Sequence, residues 1–194
     1  MNKDFPVIIW DIDDVLNDLM RSWLERFWKL RNPDCTTLYR EITENPPHVI
    51  LGIDLDDYLS SLDKFRLSGD YQKLIPNRQI SSWFQKHGHK FRHIALTTPP
   101  LISAGVSADW VIRHFGRWIR NFSFIPANRK GEVLPLYDKS KGEFLAWWGK
   151  ADVLIDDNTA NVEDAKAIGI KTILIAQPWN GGKLTVKQNL DLLM

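Results

Sequence analysis

The chain has 194 residues, which is enough for one domain with a buried core and a modest insertion. Its 25 Lys and Arg residues nearly balance its 24 Asp and Glu residues, so the net charge of +1 gives no reason to expect nucleic acid or a membrane surface as a partner. No run of about 18 apolar residues and no signal-peptide pattern appears, which argues against a transmembrane helix and predicts a cytoplasmic protein. The single cysteine, Cys35, cannot form an internal disulfide.

The first 78 residues change from a strand pattern to a helix pattern and then to an irregular segment. Residues 5–10 form a continuous apolar run, which predicts a strand that is buried on both faces. Apolar residues recur at spacings of three and four over residues 16–31, which predicts an amphipathic helix that ends at Asn32-Pro33-Asp34. Residues 33–78 are less regular and include a short predicted helix over residues 54–62. We therefore predict an insertion that follows the first strand.

From residue 77 onward, helix and strand patterns alternate, which predicts a parallel sheet with helices on both faces. The predicted helices span residues 77–88, 107–120, 141–148 and 158–168, and the predicted strands span residues 91–96, 122–125, 153–155 and 171–176. The fold class that we expect is α/β, with a three-layer Rossmann-like sheet and a small, mainly helical insertion after the first strand. Ligands of such sheets bind beyond the carboxyl ends of the strands.

Three of the predicted strands end in polar side chains. These are Asp11 and Asp13 after the first strand, Thr97 and Thr98 after the second, and Asp156 and Asp157 after the fourth. Carboxylates that gather at one edge raise each other's pKa unless a cation lies among them, and a set of oxygen ligands suits Mg²⁺. Each Asp pair alone could be only a turn with a helix cap, but the two pairs together with the threonines favour a metal site.

The same residues carry a resemblance to a known family. The segment Asp11-Ile12-Asp13-Asp14-Val15 after an apolar strand resembles the first motif of the haloacid dehalogenase superfamily. Thr97 after Ile94-Ala95-Leu96 resembles the second motif, Lys141 at a helix start the third, and Ile155-Asp156-Asp157 the fourth. Each motif is weak alone, but the ordered set spans nearly the whole chain and is fairly specific.

The resemblance implies a phosphohydrolase that works through two carboxylates. Asp11 would attack phosphorus and form an aspartyl-phosphate, and Asp13 would protonate the leaving oxygen and then activate water. The presence of the second acid favours phosphoester hydrolysis over the other reactions of the family. Thr97 would hold the phosphoryl oxygens, with Thr98 beside it as a second candidate that is more typical of a turn. The implied Mg²⁺ ligands are Asp11, the backbone carbonyl of Asp13, and either Asp156 or Asp157.

Two lysines compete for the role of the phosphate-binding lysine. Ser140 and Glu143 fit a capping box, which places Lys141 at the first helical position, where an anion is favoured. Lys141 also precedes Asp156 by 15 residues, close to the separation that is usual in the family. We therefore prefer Lys141 to Lys139 as the phosphate ligand.

Asp14 departs from the family pattern, which often has glycine at this position. A side chain at this bend is tolerated if the backbone avoids positive φ. Independently of that, the Asp14 side chain could alter the local charge or contact the insertion. This departure concerns the geometry of the site and leaves the expected class of reaction unchanged.

The insertion resembles a helical cap, which implies a catalytic core of residues 1–16 and 79–194 and a cap of residues 17–78. Such caps cover the active site and select small soluble substrates. The segment Asp14 to Asp18, with Leu-Thr-Thr-Pro and Ile-Asp-Asp later, looks most like the deoxyribonucleotidase branch, which implies a nucleoside monophosphate as one candidate substrate. Trp28, Phe65 and Tyr71 could stack on a base, although packing within the cap explains these aromatic residues equally well.

Two further hypotheses compete with a capped phosphatase that acts on a small phosphorylated metabolite. The chain could be a catalytically idle member of the family that binds a phosphate ligand or a protein. It could also be an unrelated domain in which Asp11 accepts a phosphoryl group without turnover, but the position of Asp11 on the first strand and the size of the insertion argue against that.

Overall fold

Five parallel strands form the centre of the molecule. The structure is a computed structural model and describes residues 5–194. The strands are β1 (Val7–Trp10), β2 (Arg92–Thr97), β3 (Ile119–Phe124), β4 (Val153–Asp156) and β5 (Lys171–Leu174), and they lie in the order β3-β2-β1-β4-β5. The continuous apolar run at residues 5–10 becomes the central strand because its side chains are buried on both faces of the sheet.

Helices cover both faces of the sheet. They are α1 (Leu19–Trp23), α2 (Lys29–Arg31), α3 (Leu55–Arg66), α4 (Gly69–Gln72), α5 (Arg78–His87), α6 (Leu101–Phe115), α7 (Lys141–Trp148), α8 (Thr159–Ala167) and α9 (Val186–Asp191). One apolar core joins the sheet to α5, α6 and α9, and a second core joins the opposite face to α7 and α8. The predicted α/β class with three layers and a helical insertion is confirmed.

The strand register brings the predicted polar side chains to one edge of the sheet. Trp10 lies opposite Ala95 on β2 and Ile155 on β4, so Asp11, Thr97 and Asp156 end their strands at similar heights. The amide of Asp11 extends this pairing, since it donates a hydrogen bond to the carbonyl of Ile155 at 2.9 Å. The polar groups that the sequence predicts therefore meet at the carboxyl ends of three neighbouring strands.

The segment between β1 and β2 begins with one helical run over residues 19–31. A π-helical turn, Leu24–Trp28, interrupts this run between α1 and α2. The predicted start at residue 16 is wrong by three residues, because Asp14 to Asn17 form a turn on the carbonyl of Ile12 before the helix begins. The predicted helix over residues 54–62 extends further, to Arg66.

The boundaries of α6 and β3 differ most from the prediction. Helix α6 begins at Leu101, directly after the extended Pro100, and ends at Phe115 rather than at residue 120. The predicted helical residues Ile119 and Arg120 belong to β3, where Ile119 pairs with His93 of β2. Pairing with β2 therefore overrides the helical spacing of the apolar residues around position 119. Among the residues that the structure describes, no helix is long and apolar enough to cross a membrane.

Candidate functional site

A cavity of about 120 Å³ lies at the carboxyl ends of β1, β2 and β4. Asp11, Thr97 and Asp157 line it from the sheet, and Leu62 and Arg66 line it from α3. Sites for drug-sized ligands usually enclose about 300 Å³ or more. The cavity therefore accommodates a group of phosphate size while α3 covers it, and a larger ligand would need the insertion to move.

Lys141 lies between two buried carboxylates at the base of this cavity. Its Nζ donates hydrogen bonds to Asp11 Oδ1 at 2.6 Å and to Asp156 Oδ2 at 2.7 Å, and its side chain is fully buried. The predicted start of α7 at Lys141 is confirmed, with the Ser140 hydroxyl accepting the amide of Glu143. Lys139 is exposed to solvent two residues earlier. The geometry therefore favours Lys141 over Lys139 as the lysine of the site.

Three carboxylates, those of Asp11, Asp156 and Asp157, meet beside Lys141. Each offers an oxygen atom within 4.8 Å of the others. The oxygens of Asp156 are already engaged, because besides Lys141 they accept the amide of Asn158 at 2.8 Å and the side-chain amide of Asn161 at 3.2 Å. Such a set of hard oxygen donors fits a cation such as Mg²⁺.

The electrostatics of this cluster also suit a bound cation. Burial is the largest influence on Asp11 and raises the pKa of its carboxyl to about 7, although the Lys141 ammonium opposes this shift. Burial likewise raises the pKa of Asp157 well above its ordinary range, and the carboxylates of Asp14 and Asp156 add to the shift. A divalent cation among these groups would stabilise their ionised forms.

Asp157 makes one side-chain hydrogen bond and leaves a second oxygen at the cavity. Its Oδ2 accepts the indole N–H of Trp179 at 3.0 Å, and its backbone carbonyl accepts the side-chain amide of Asn180 at 2.7 Å. Asn180 also donates to the carbonyl of Ile175 at 2.7 Å, which holds the loop after β5 against the end of β4. The Pro178-Trp179-Asn180 segment therefore fixes the position of Asp157.

The Asp13 carboxylate lines the cavity and is held by residues of the inserted segment. Its Oδ2 accepts the guanidinium Nη2 of Arg66 at 3.0 Å, and its Oδ1 accepts the hydroxyl of Tyr71 at 3.2 Å and the side-chain amide of Asn17 at 3.1 Å. Arg66 and Tyr71 belong to the inserted segment, and both are buried. Asp13 therefore connects the carboxyl edge of the sheet with the helices of the inserted segment.

Asp14 occupies a left-handed bend, with φ of +60°, so the condition under which a side chain would be tolerated there, a backbone that avoids positive φ, is not met. Asp is one of the few residues other than Gly that adopt this conformation readily. Its Oδ1 accepts the amide of Met20 at 2.9 Å, its amide donates to Asn17 Oδ1 at 3.2 Å, and its carbonyl accepts Gln177 Nε2 at 2.6 Å. The expected contact with the insertion is present, since Met20 belongs to α1. These contacts stabilise the bend.

Thr97 and Thr98 both line the cavity, Thr97 buried at the end of β2 and Thr98 exposed. The aromatic residues that could have stacked on a base do not line it. Phe65 and Tyr71 are fully buried within the inserted segment, and Trp28 packs on Trp23 with ring centroids 5.4 Å apart. Of the two alternatives for these rings, internal packing describes them and a stacking surface at the site does not.

Arg66 is the main residue of the site that sequence reasoning missed. The signal was present, because Tyr58, Leu62 and Arg66 are spaced by four along α3 and all three are buried. A charged residue in line with the apolar stripe of a helix requires a buried partner. Asn161 was missed in the same way, since its contact with Asp156 depends on the course of α8.

Comparisons with known proteins identify the fold. No protein-family model and no curated protein sequence matches the chain. A haloacid dehalogenase-like family hydrolase from Streptococcus pneumoniae matches with a TM-score of 0.60 at 12% identity, over 96% of this chain and 90% of that one. A HAD-superfamily hydrolase from Geobacter sulfurreducens matches with a TM-score of 0.55 at 14% identity, over 98% and 97% of the two chains.

A third matching structure is a protein from Lactobacillus plantarum that is described as a phosphoglycolate phosphatase by inference rather than by experiment. It matches with a TM-score of 0.54 at 15% identity, over 98% of both chains. At identities this low the likeness establishes the fold alone, and this fold serves several reactions. The chain has the fold of haloacid dehalogenase-like hydrolases, and its activity must be argued from the residues of the site.

Proposed function

We propose that this chain, which has the fold of haloacid dehalogenase-like hydrolases, is a Mg²⁺-dependent phosphohydrolase that acts on a small phosphate monoester. The observation that carries the proposal is the position of Asp11. One oxygen of its carboxylate is held by Lys141 at 2.6 Å, and the residue lines a cavity of phosphate size together with Thr97 and Asp157.

In the proposed reaction, Asp11 attacks the phosphorus of the ester. The new bond joins an Asp11 carboxylate oxygen to phosphorus, and the bond from phosphorus to the ester oxygen breaks. Asp13 donates its proton to the departing alkoxide, which leaves as an alcohol. Water then loses a proton to Asp13 and attacks the aspartyl-phosphate, which releases inorganic phosphate and restores both carboxyl groups.

The proposed Mg²⁺ ligands are Asp11, the backbone carbonyl of Asp13, and Asp157. We favour Asp157 over Asp156 because the oxygens of Asp156 already accept hydrogen bonds from Lys141, Asn158 and Asn161. When bound, the ion offsets the negative charge of the phosphoryl group and of the carboxylates. Asp156 then serves to position Lys141.

Lys141 and the two threonines are the proposed phosphate ligands. The Lys141 ammonium is fixed at the start of α7, where the helix also favours an anion. Thr97 offers a hydroxyl and a backbone N–H at the end of β2, and the exposed Thr98 lies beside it at the rim. The Lys141 ammonium would offset the negative charge of the phosphoryl oxygens, and the hydroxyls and backbone N–H would donate hydrogen bonds to them.

Residues 17–78 are proposed to act as a cap on a core of residues 1–16 and 79–194. In support, Leu62 and Arg66 of α3 close the cavity from the side opposite the sheet. We favour a compact phosphorylated metabolite over a nucleoside monophosphate, because the cavity measures about 120 Å³ and the candidate stacking rings are buried elsewhere. The contacts of Asp13 with Arg66 and Tyr71 would also suit an idle phosphate-binding module.

A phosphatase assay separates these two functions. We expect the wild-type chain to release phosphate from an aryl phosphate or from members of a metabolite panel with Mg²⁺ and to lose this activity in EDTA. Asp11→Asn should reduce the rate by on the order of 10³-fold, because it removes the nucleophile. Asp191→Asn, an exposed change of the same kind on α9, should leave the rate unchanged. A wild-type chain as inactive as Asp11→Asn across the panel would reject the enzyme.

A further inference from the structure

A second, larger groove lies at the opposite end of the sheet from the catalytic cavity. It encloses about 790 Å³ and is lined by the starts of β1, β2 and β3, including Arg92 and Asn121, and by Trp148 at the end of α7. An adjoining hollow of about 390 Å³ shares Asn121 and Trp148 with it.

The groove is strongly cationic. Arg92, Arg117, Arg120 and Lys150 line it, all four are exposed, and no Asp or Glu is among its lining residues. Within residues 5–194, none of these four cations lies within 4.0 Å of a carboxylate oxygen. The carboxylate of nearby Asp152 accepts the amide of Val7 at 2.7 Å instead. Four like charges on one surface attract an anion.

The groove also offers aromatic surface. Phe91, Trp118 and Trp148 line it and are half-buried, so part of each side chain faces the open space. The guanidinium of Arg117 lies 5.6 Å from the ring centroid of Trp118, which places a cation beside a flat apolar face. Interleaved cations and aromatic rings are the combination that binds phosphates and stacks on bases.

The edge strand β3 contributes to this arrangement through an irregularity. His93 of β2 pairs with Ile119, and Ile94 pairs with Asn121, so Arg120 is an extra residue in the ladder. A bulge of this kind re-aims a side chain at the edge of a sheet. A second copy of the chain is a poor occupant of the groove, because a symmetric contact would oppose four cations with four cations.

We propose that this groove binds a nucleotide, with its phosphates on Arg92, Arg117, Arg120 and Lys150 and its base against Trp118 or Trp148. The volume falls within the roughly 300–1,000 Å³ of small-ligand sites. The site lies apart from Asp11 and the proposal does not depend on hydrolysis at that residue.

The test is calorimetric titration of the full chain with ATP in EDTA, so that the carboxylate cluster binds no metal. We expect saturable binding that weakens as salt rises. The double variant Arg92→Gln with Arg120→Gln should weaken it at least about tenfold. The control double variant Arg78→Gln with Lys187→Gln makes the same change in net charge at exposed positions away from the groove and should bind as wild type does.

A second variant separates the base from the phosphates. Trp118→Leu should weaken ATP and leave inorganic tripolyphosphate unchanged, and adenosine should bind wild type far more weakly than ATP. The proposal is overturned if wild type shows no saturable ATP binding, or if both double variants lose equal affinity. It is also overturned if a short oligothymidylate binds wild type more tightly than ATP does, since the ligand would then be single-stranded nucleic acid.

Discussion

At position 14 a single side chain compensates for an unfavourable backbone conformation. The left-handed bend at Asp14, with φ of +60°, costs most residues other than Gly about 1–2 kcal/mol. The Asp14 carboxylate accepts the amide of Met20 at 2.9 Å and so satisfies a backbone N–H in the first turn of α1. Burial raises the pKa of this carboxyl well above its ordinary range. The contribution of this residue therefore lies in its conformation and its hydrogen bond rather than in a fully ionised charge.

We predict that Asp14→Ala is less stable than Asp14→Gly by about 1 kcal/mol, because both variants lose the carboxylate and only alanine keeps the strain of positive φ. Urea unfolding of the two variants measures the difference. The matched control is Ala146→Gly on the exposed face of α7, where glycine should be the less stable residue. Equal stability of the two Asp14 variants would show that the bend relaxes when the carboxylate is removed.

His93 is a buried titratable residue outside the catalytic site. Its Nδ1 must accept, because Trp10 Nε1 at 3.0 Å can only donate, and its Nε2–H then donates to the carbonyl of Gly88 at 2.8 Å. Burial lowers the pKa of His93 to about 4, against an opposing effect of the Gly88 carbonyl. Protonation would place a second hydrogen on Nδ1, facing the indole N–H.

We therefore predict that neutral His93 contributes stability above pH about 6.5 and that this contribution is lost as the pH falls towards 4. The unfolded chain binds the proton more readily across this window, so the free energy of unfolding falls by about 2–3 kcal/mol. His93→Gln keeps one donor and one acceptor and does not titrate. Urea unfolding at pH 7 and at pH 4.5 should show a smaller loss for this variant than for wild type; an equal loss would contradict the prediction.

Site residues that directly follow predicted strands could be recognised from the sequence. Site residues that reach the cavity from distant parts of the chain could not. Asp11, Thr97 and Asp156 each follow an apolar run, and parallel pairing alone brings them together. Arg66 reaches Asp13 across 53 positions of the chain, and that contact depends on how α3 packs over the sheet. The same limit applies to Tyr71. The sequence shows its aromatic ring, but cannot show that its hydroxyl donates to Asp13.

At the scale of elements, the ends of helices and strands depend on their neighbours. Asn77 and Ser140 accept amides at the starts of α5 and α7, and both starts follow from local sequence. The position of Ile119 in β3 rather than in α6 does not follow from local sequence, because it depends on pairing with β2. The spacing of the apolar residues likewise gives no indication of the π-helical turn Leu24–Trp28.

Two ion pairs link the insertion to the irregular loop of residues 125–140. Arg129 donates to both carboxylate oxygens of Asp63 on α3, at 2.6 and 2.8 Å, and both side chains are mostly buried. The neighbouring Lys130 contacts Asp56 on the same helix at 3.4 Å, but that pair is exposed. Bidentate, partly buried pairs are stronger than exposed ones, so Arg129 is the main attachment of the loop.

We predict that Arg129→Gln accelerates amide hydrogen exchange in the loop of residues 125–140 by about tenfold, which corresponds to about 1.4 kcal/mol of local stability. Exchange in β1 and β4 should remain unchanged. Lys130→Gln is the matched control on the next residue and should have little effect on the loop. Equal acceleration by both variants would show that general charge, and not the bidentate pair, holds the loop.

Across the whole molecule, the two ends of the sheet carry opposite charge. The carboxyl ends of the strands gather Asp11, Asp156 and Asp157 around one lysine, and the amino ends gather Arg92 and Arg120 among exposed cations. The net charge of +1 is the total over 25 Lys and Arg and 24 Asp and Glu residues, and such a total conceals this separation. The acidic end has a direct consequence for stability, since buried like charges oppose folding until a cation binds.

We predict that Mg²⁺ raises the melting temperature of the chain by several degrees relative to EDTA at equal ionic strength. Binding to the folded state at about 100 times Kd adds about 2.7 kcal/mol, and each kcal/mol moves the midpoint by about 2–4 °C in a chain of this size. Asp157→Asn should raise the midpoint in EDTA, because it removes a buried charge, and should abolish most of the Mg²⁺ effect. Asp191→Asn, exposed on α9, should change neither value. If Asp157→Asn keeps the full Mg²⁺ shift, the ion binds elsewhere and Asp157 is not its ligand.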